Sequence, residues 1–173
     1  MRFRGVAYRA HDPRWSFEPL SGEGARMHGG RFNAPGTPAL YLSLSHATAL
    51  AEANQGFSAK IQPSLIVAYD VDCNKVLDLT KPTILRRYGI DDADLSCDWF
   101  NYKLRGRDAP SWRLAERLVS EGHNGIIVRS FLSDASDNDI NLVLWKWSPN
   151  RPAKVTVHDP DKRLPKDQSS WRS

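Results

Sequence analysis

The chain has 173 residues, of which 40% are hydrophobic and 25% charged, so its composition is that of an ordinary globular protein. A chain of this length can bury one sizeable core without help from disulfides or metal. Its two cysteines, Cys73 and Cys97, are too few for a disulfide framework or a zinc site. No stretch approaches the ~20 apolar residues of a membrane helix, and no apolar signal region follows the basic start, so we expect a cytoplasmic protein.

The net charge of +4 permits contact with nucleic acid or with an acidic partner without requiring either. Strong nucleic-acid binders usually concentrate Lys and Arg along one stripe. Here acidic residues are interleaved with the basic ones, as between residues 81 and 117. Nucleic acid is therefore disfavoured as the primary ligand.

The first half of the chain predicts three strands and one helix. The strands are expected at residues 6–9, 39–43 and 65–71, the last being a strongly β-branched run. Residues 11–30 are rich in Gly, Pro and Ser, have neither helical nor strand periodicity, and are predicted to form a long loop. Ser45 can cap a helix that runs to about residue 55, where Gly56 would end it.

The second half predicts one clear amphipathic helix at residues 111–121, with Trp112 and Leu118 on its apolar side. Further strands are expected at residues 125–129, 140–145 and 155–157. The pattern over residues 80–108 is weaker. There, Pro82 indicates the start of a short helix, and the acidic and aromatic run that follows could form a second one.

Several strands are separated by too little chain for regular βαβ crossovers, so the mixture of strands and helices predicts an α+β fold. Neither an internal repeat nor a linker interrupts the pattern, and we expect a single domain over residues 1–158. After His158 the sequence turns polar and loses its pattern. This predicts a tail at residues 159–173 that is frayed or bound by a partner.

Two nucleotide-binding motifs are absent. Gly22 and Gly24 would begin G-x-G-x-x-G, but Met27 stands at its third glycine position. Gly24 and Gly29 have the spacing of a phosphate-binding loop, but Gly30 stands where that loop needs lysine. The five histidines have no partners at metal-ligand spacing, and no G-x-S-x-G elbow presents a nucleophilic serine.

Arg31 and Tyr41 each allow two interpretations. Arg31 follows two glycines in the run GGRFN at residues 29–33, where it is either an ordinary turn residue or a donor fork for phosphate oxygens. Tyr41 lies within a predicted strand, between Leu40 and Leu42. It is therefore either a core tyrosine or an aromatic platform on which a flat ring can stack.

Glu52 is the only acidic residue of its predicted helix. The positions three and four residues away hold no Lys or Arg, so no ion pair along the helix can neutralise it. Its neighbours are mostly alanine and leucine. Glu52 is thus either on a solvated helix face or a carboxylate aimed at a ligand.

Several short blocks of sequence occur in a characteristic order. They are YR at residues 8–9, PLSG at 19–22, GGRFN at 29–33, YLS at 41–43, ALAE at 49–52, IVRS at 127–130 and NLVL at 141–144. In this order and spacing they resemble the RES domain, which occurs in toxins of bacterial toxin–antitoxin pairs. The family is named for an Arg, a Glu and a Ser, which fall here on Arg31, Glu52 and Ser130. Many relatives have a proline before the motif serine where this chain has Arg129.

The sequence leaves open which serine is functional and what residues 81–108 do. Ser133 and Ser136 lie close to Ser130 in sequence, so any of the three could be the functional serine. Residues 81–108 match no block of the family.

The resemblance implies an ADP-ribosyltransferase-like fold, with split, partly antiparallel β-sheets around an NAD⁺ cleft and flanking helices. It implies an enzyme that cleaves the nicotinamide–ribose bond of NAD⁺, without a metal, through a transition state that resembles an oxocarbenium ion. ADP-ribose would pass to a host protein, to water or to phosphate, and growth would be arrested. A cognate antitoxin protein would block the active site, and nucleic acid would be contacted only through that antitoxin.

The resemblance also implies a role for each site residue. Arg31 would bind the pyrophosphate or an adjacent ribose, and Tyr41 would stack near nicotinamide. Glu52 would accept a hydrogen bond from the ribose 2′-OH and stabilise the developing positive charge. Ser130 would form a hydrogen bond within the NAD⁺ site, and Arg9 would be a second contact for an anion.

The alternative from another class is a non-catalytic basic module associated with nucleic acid. In that case Arg31 would contact nucleic-acid phosphates and Glu52 would be solvated. Loss of NAD⁺ on mixing with the pure protein separates the two hypotheses.

Overall fold

A computed structural model describes residues 1–54 and 62–169. The strands are β1 (Phe3–His11), β2 (Leu40–Ser43), β3 (Leu65–Cys73), β4 (Val76–Asp78), β5 (Gly125–Arg129), β6 (Ile140–Leu144) and β7 (Ala153–Val157). The helices are α1 (Glu23–His28), α2 (His46–Ala53), α3 (Pro82–Tyr88), α4 (Asp92–Ser96), α5 (Trp99–Leu104) and α6 (Pro110–Ser120). None of these helices is long and apolar enough to cross a membrane.

The seven strands form a mixed sheet in the order β4-β5-β6-β2-β1-β3-β7. Only β4 and β5 run parallel, and the other neighbours are antiparallel. The link between β1 and β2 consists of a single residue pair, Tyr8 with Ser43, whereas β1 and β3 pair along their whole length. The two halves of the sheet are therefore joined by one residue pair, which marks the point at which the sheet is split. The α+β class and the split sheet with flanking helices are confirmed.

The hydrophobic core lies in two layers, one on each face of the sheet. One layer includes Ala7, Leu40, Leu42, Val67, Tyr69 and Val71. The other includes Leu77, Leu114, Leu118, Ile126, Val143 and Trp145. Helix α6 covers the second layer with its apolar side, as its amphipathic sequence predicts. Alternate residues of β2, β5 and β6 enter the two layers, so a slip of one residue would exchange side chains between the layers and disrupt the packing of both.

The start of α2 follows from its capping residue. Ser45 Oγ accepts a hydrogen bond from the backbone N–H of Thr48 at 3.0 Å, which satisfies one free donor of the first turn. Thr48 Oγ1 donates in turn to Asp139 Oδ1 at 2.7 Å, next to β6. The helix is thereby tied to the sheet at its first turn. The predicted end at Gly56 lies outside the described residues.

Three sequence-based expectations need correction. Residues 11–30 were expected to form a loop, yet β1 extends to His11 and α1 forms at Glu23–His28. A six-residue helix is too short to show a hydrophobic period, and α1 is stabilised locally by the Glu23–Arg26 ion pair. Residues 80–108 hold three helices rather than two. The tail is not frayed at its start, because Leu164 packs against the core.

Buried His11 gives the fold a pH dependence. Tyr69 donates its hydroxyl proton to Pro19 O at 2.8 Å and accepts from His11 Nε2 at 2.6 Å, which requires only the neutral imidazole. Burial, and secondly the nearby Arg9 charge, lowers the pKa of His11 from 6.5 to about 4. Below pH ~6.5 His11 is protonated in the unfolded chain, whereas in the folded protein it stays neutral until about pH 4. We expect a stabilising contribution of at most about 3 kcal/mol that is complete above pH ~6.5 and lost as the pH falls toward 4.

Urea unfolding of wild type and His11→Gln at about pH 7 and pH 5 measures this contribution. The wild type should lose more stability between the two pH values than His11→Gln, because glutamine does not titrate. His28→Gln, which removes an exposed histidine, is the control and should follow the wild type. Equal losses in wild type and His11→Gln would show that His11 is not the group responsible.

Candidate functional site

Arg31 is presented by a tight turn that is closed by its own backbone. Gly30 N–H donates to Asn33 O at 3.0 Å, and Asn33 N–H donates to Gly30 O at 3.4 Å. The buried Asn33 side chain donates to the carbonyl oxygens of Ala25 and Thr37, each at 2.8 Å. The turn is thus joined to α1 and to the segment before β2.

Distant side chains fix the same turn from outside. Trp112 Nε1 donates to Gly30 O at 2.7 Å, and Trp145 Nε1 donates to Phe32 O at 2.8 Å. Tyr41 Oη accepts from Phe32 N–H at 2.9 Å and donates to Asn33 Oδ1 at 2.7 Å. A Cβ on Gly30 would lie 2.5 Å from Tyr41 Oη, which explains the glycine. The backbone around Arg31 is therefore preorganised before any ligand arrives.

The Arg31 guanidinium is partly buried and has no carboxylate partner within ion-pair distance among the described residues. Its Nη1 donates to Cys97 O at 2.7 Å and to Leu95 O at 3.2 Å, and its Cζ lies 4.5 Å from the centroid of the Phe131 ring. Burial lowers the pKa of Arg31. The charges of Glu52 and Asp98 act on Arg31 only from beyond ion-pair distance. A partly desolvated cation without a direct ion pair favours binding of an anionic ligand.

Glu52 is held through one of its two oxygens. Glu52 Oε1 accepts from Ser130 Oγ at 2.7 Å and from Asn141 Nδ2 at 2.5 Å. Asn141 Oδ1 accepts in turn from Ser43 Oγ at 2.7 Å, so the side chains form a chain of hydrogen bonds across β2, β6 and α2. No side chain or backbone group of the described residues donates to Oε2. The carboxylate is fixed in orientation and keeps one oxygen for a ligand.

Two cavities meet at Glu52. The larger, of about 600 Å³, is lined by Arg31, Phe32, Tyr41, Glu52, Trp99, Phe100, Val128, Phe131, Leu132, Asn141 and Val143. The smaller, of about 180 Å³, is lined by Tyr8, Arg9, Ala10, Tyr41, Leu42, Ser43, Ala49, Glu52, Ala53 and Asn141. Tyr41, Glu52 and Asn141 belong to both. Because the smaller cavity is lined by both β1 and β2, it lies at the split of the sheet.

Arg9 resembles Arg31 in its surroundings. Its Nη1 donates to Ser21 O at 3.0 Å, and no carboxylate of the described residues pairs with it. Burial lowers its pKa. Arg9 is thus a second partly buried cation without a direct ion pair among the described residues, and it lines the smaller cavity rather than the larger one.

The structure brings the predicted site residues together. Arg31, Tyr41 and Glu52 line one cavity, Ser130 bonds Glu52, and Arg9 lines the adjoining cavity. The hydroxyl of Tyr41 is occupied by the turn, so only its ring remains for a ligand. Arg31 sits in a turn and also lines the larger cavity, so its position is compatible with both interpretations.

The hydrogen bonds of the structure distinguish Ser130 from the other two candidate serines. Of the three neighbouring serines, Ser130 alone forms a hydrogen bond to Glu52, while Ser136 bonds Asp139 and Ser133 bonds Asp134. Asn141 was not among the predicted site residues, although a polar residue near the start of the otherwise apolar strand β6 was a usable signal. The aromatic wall of Trp99 and Phe100 was missed, because residues 81–108 match no block of the family.

A cleft at the split of a mixed sheet, with a fixed carboxylate and two unpaired guanidinium groups, has the features of a site for a phosphate-bearing ligand. Among residues 1–54 and 62–169 no cluster of three or more His, Cys, Asp or Glu side chains is arranged to hold a metal ion.

Comparison with known proteins identifies the family. The RES domain matches residues 6–167, and the chain therefore belongs to the RES-domain family. Proteins named NAD(+) phosphorylase MbcT from Mycobacterium bovis and Mycobacterium tuberculosis are each 34% identical to it over 125 residues, which is 66% of this chain and 67% of the relative. The fold resembles that in a crystal structure of the M. tuberculosis MbcT–MbcA toxin–antitoxin complex, with a TM-score of 0.57 and 22% identity over 92% of this chain and 84% of the other.

Proposed function

We propose that this protein is the NAD⁺-cleaving toxin of a toxin–antitoxin pair and that it transfers ADP-ribose to inorganic phosphate. The observation that carries the proposal is the Glu52 carboxylate, fixed by Ser130 and Asn141 where two cavities meet. Membership of the RES family and similarity to proteins named NAD(+) phosphorylase support the substrate and the acceptor. The reaction would take place in the cytoplasm of the host cell.

In the proposed reaction the bond between C1″ of the ribose and the nicotinamide nitrogen breaks. Its electron pair goes to the nicotinamide ring, which leaves as a neutral molecule and needs no general acid. An oxygen of the hydrogen phosphate dianion forms the new bond to C1″, and the proton already on phosphate stays there. The products are nicotinamide and ADP-ribose 1″-phosphate.

Glu52 stabilises the transition state of this reaction. As nicotinamide leaves, positive charge develops on the ribose, as it does in glycoside hydrolysis. Glu52 Oε2 accepts a hydrogen bond from the 2″-OH of the same ribose and places its negative charge beside the developing cation. Because Ser130 and Asn141 already hold Oε1, little reorganisation is needed when the charge appears.

The larger cavity binds the dinucleotide. Its volume of about 600 Å³ is within the range of small-molecule sites. Arg31 binds the pyrophosphate or an adjacent ribose with the donors that Leu95 and Cys97 leave free. The ring of Tyr41 lines the same cavity as Arg31 and Glu52 and stacks near nicotinamide.

A cognate antitoxin protein is part of the proposal. The structural relative is a toxin–antitoxin complex, and an antitoxin that covers the larger cavity would exclude NAD⁺. Expression of this protein alone should therefore arrest bacterial growth and lower cellular NAD⁺, and co-expression with the antitoxin should restore both. Unimpaired growth and normal NAD⁺ during soluble expression of the protein alone would contradict the toxin assignment.

The reaction itself is tested with purified protein. Incubated with NAD⁺ and inorganic phosphate, it should release nicotinamide and ADP-ribose 1″-phosphate, detected by mass spectrometry and ³¹P NMR. ADP-ribose as the main product in the presence of phosphate would indicate water as the acceptor, and a labelled protein after addition of cell extract would indicate a host target. Intact NAD⁺ in all three incubations would overturn the enzymatic assignment.

A nucleic-acid module is less well supported. Arg31 is turned into a cavity and donates to two backbone carbonyls, whereas an arginine that contacts a nucleic-acid backbone needs an accessible surface. Glu52 is hydrogen-bonded at the cavity junction and is not on a solvated helix face.

A further inference from the structure

We propose that the smaller cavity at the split of the sheet is the subsite for the acceptor phosphate and that Arg9 holds the phosphate there. This inference rests on the proposed cleavage of NAD⁺ and goes beyond it, because it assigns a separate place to the second substrate. Its basis is the geometry of the two cavities and the different guanidinium group in each.

The volumes of the cavities differ in a way that suits two substrates. The smaller cavity, at about 180 Å³, has room for roughly six water molecules at ~30 Å³ each. That space accommodates one phosphate ion but is below the ~300 Å³ at which pockets for larger organic ligands begin. The dinucleotide therefore fits the larger cavity, and a small anion fits the smaller one.

The position of the smaller cavity suits an acceptor. It shares Glu52, Tyr41 and Asn141 with the larger cavity, so a ligand in it reaches the carboxylate beside which the ribose cation would form. Approach through the split between β1 and β2 does not pass through the aromatic wall of Trp99 and Phe100. Phosphate can then meet C1″ without first displacing the dinucleotide.

The charge of Arg9 meets an electrostatic need of such a subsite. A phosphate dianion beside the Glu52 carboxylate would be repelled, and an uncompensated pair of like charges in a partly desolvated place is costly. Arg9 supplies the compensating positive charge. Its guanidinium has only the Ser21 carbonyl as a hydrogen-bond partner among the described residues, so most of its donors remain for phosphate oxygens.

The test compares Arg9→Gln and Arg9→Lys with the wild type in steady-state assays of ADP-ribose 1″-phosphate formation. Arg87→Gln, which removes an exposed arginine on α3, is the matched control. In Arg9→Gln the KM for inorganic phosphate should rise about tenfold or more, the effect of losing one charge-assisted hydrogen bond. The KM for NAD⁺ should rise less, and product should shift toward ADP-ribose. Arg9→Lys keeps the charge but loses the planar fork of donors, so its KM for phosphate should lie between those of the wild type and Arg9→Gln.

Other results would contradict the inference. A KM for NAD⁺ that rises as much as the KM for phosphate would place Arg9 in the dinucleotide site and overturn the inference. If Arg9→Gln does not fold, competition by sulfate on the wild type decides. Sulfate that competes with phosphate supports a separate anion subsite, and sulfate that competes with NAD⁺ instead contradicts it. Failure of the wild type to cleave NAD⁺ would refute the proposed function, whereas cleavage with an unaltered phosphate KM in the Arg9 variants would refute this inference alone.

Discussion

Glu52→Gln is expected to lower the rate of NAD⁺ cleavage by ~10²-fold or more, the scale of losing one preorganised electrostatic contact to a transition state. The amide is nearly isosteric with the carboxylate but carries no charge. With its amide oxygen held by Ser130 and Asn141, it presents NH2 in place of Oε2. It therefore neither accepts a hydrogen bond from the ribose 2″-OH nor compensates the positive charge that develops on the ribose. Binding of NAD⁺ should persist, because Arg31 and Tyr41 contact the ground state.

The stability of Glu52→Gln is expected to stay close to that of the wild type. The amide oxygen of glutamine can accept from Ser130 Oγ and Asn141 Nδ2 as Glu52 Oε1 does. No cationic side chain of the described residues lies within ion-pair distance of Glu52, so no direct ion pair is broken, although Arg31 loses a nearby negative charge. Removing an unpaired carboxylate from a partly desolvated place can even raise stability slightly.

The measurement pairs a cleavage assay with thermal unfolding. Glu18→Gln, the same change at an exposed position, is the control and should alter neither rate nor stability by a measurable amount. Near-normal NAD⁺ cleavage by folded Glu52→Gln would refute the role proposed for the carboxylate. A large loss of stability with little loss of activity would identify Glu52 as a structural residue.

Much of the fold was predictable because its cause is local. The cap at Ser45, the β-branched strand β3 and the amphipathic helix α6 each carry their signal within a few residues. Helices α4 and α5 are different, since each is shorter than two full turns and packs against α6, while Arg31 bonds the carbonyls of Leu95 and Cys97. A pattern within the sequence of residues 81–108 could not supply that information.

The residues of the site also differ in whether their sequence signal is local. Glu52 was noticeable because an acid without a partner on its own helix is unusual, and Arg31 because it follows two glycines. The residues that fix Glu52 are 78 and 89 positions away, and Trp112, which fixes the Arg31 turn, is 82 positions from Gly30. Only the folded sheet brings these groups together. Local sequence therefore pointed to Arg31 and Glu52 as candidate site residues and not to the contacts that orient them.

Arg31→Ala is expected to weaken NAD⁺ binding by about tenfold or more and to abolish toxicity. The loss follows from removing a charge-assisted hydrogen bond to a phosphate or ribose oxygen, which contributes about 1.5–3 kcal/mol. The fold should remain, because the turn at residues 29–33 is held by its backbone and by Trp112, Trp145 and Tyr41 rather than by the arginine side chain.

The substitution should also loosen one neighbouring segment. Arg31 Nη1 donates to Leu95 O and Cys97 O, and its guanidinium lies over Phe131, so alanine leaves two carbonyls without this donor. Amide hydrogen exchange in the segment from α4 to the start of α5 should therefore become faster, with little change in the strands. This local effect separates loss of a ligand contact from global unfolding.

Affinity is best measured in proteins that bind NAD⁺ without consuming it. Titration calorimetry should compare Glu52→Gln with the double variant that also carries Arg31→Ala, and Arg87→Ala on the same background is the control for lost surface charge. The double variant should bind NAD⁺ about tenfold or more weakly, and the control should not. If Arg31 served only the turn, the melting temperature would fall while NAD⁺ affinity stayed the same. That result would remove Arg31 from the binding site and leave its two carbonyl contacts as its whole role.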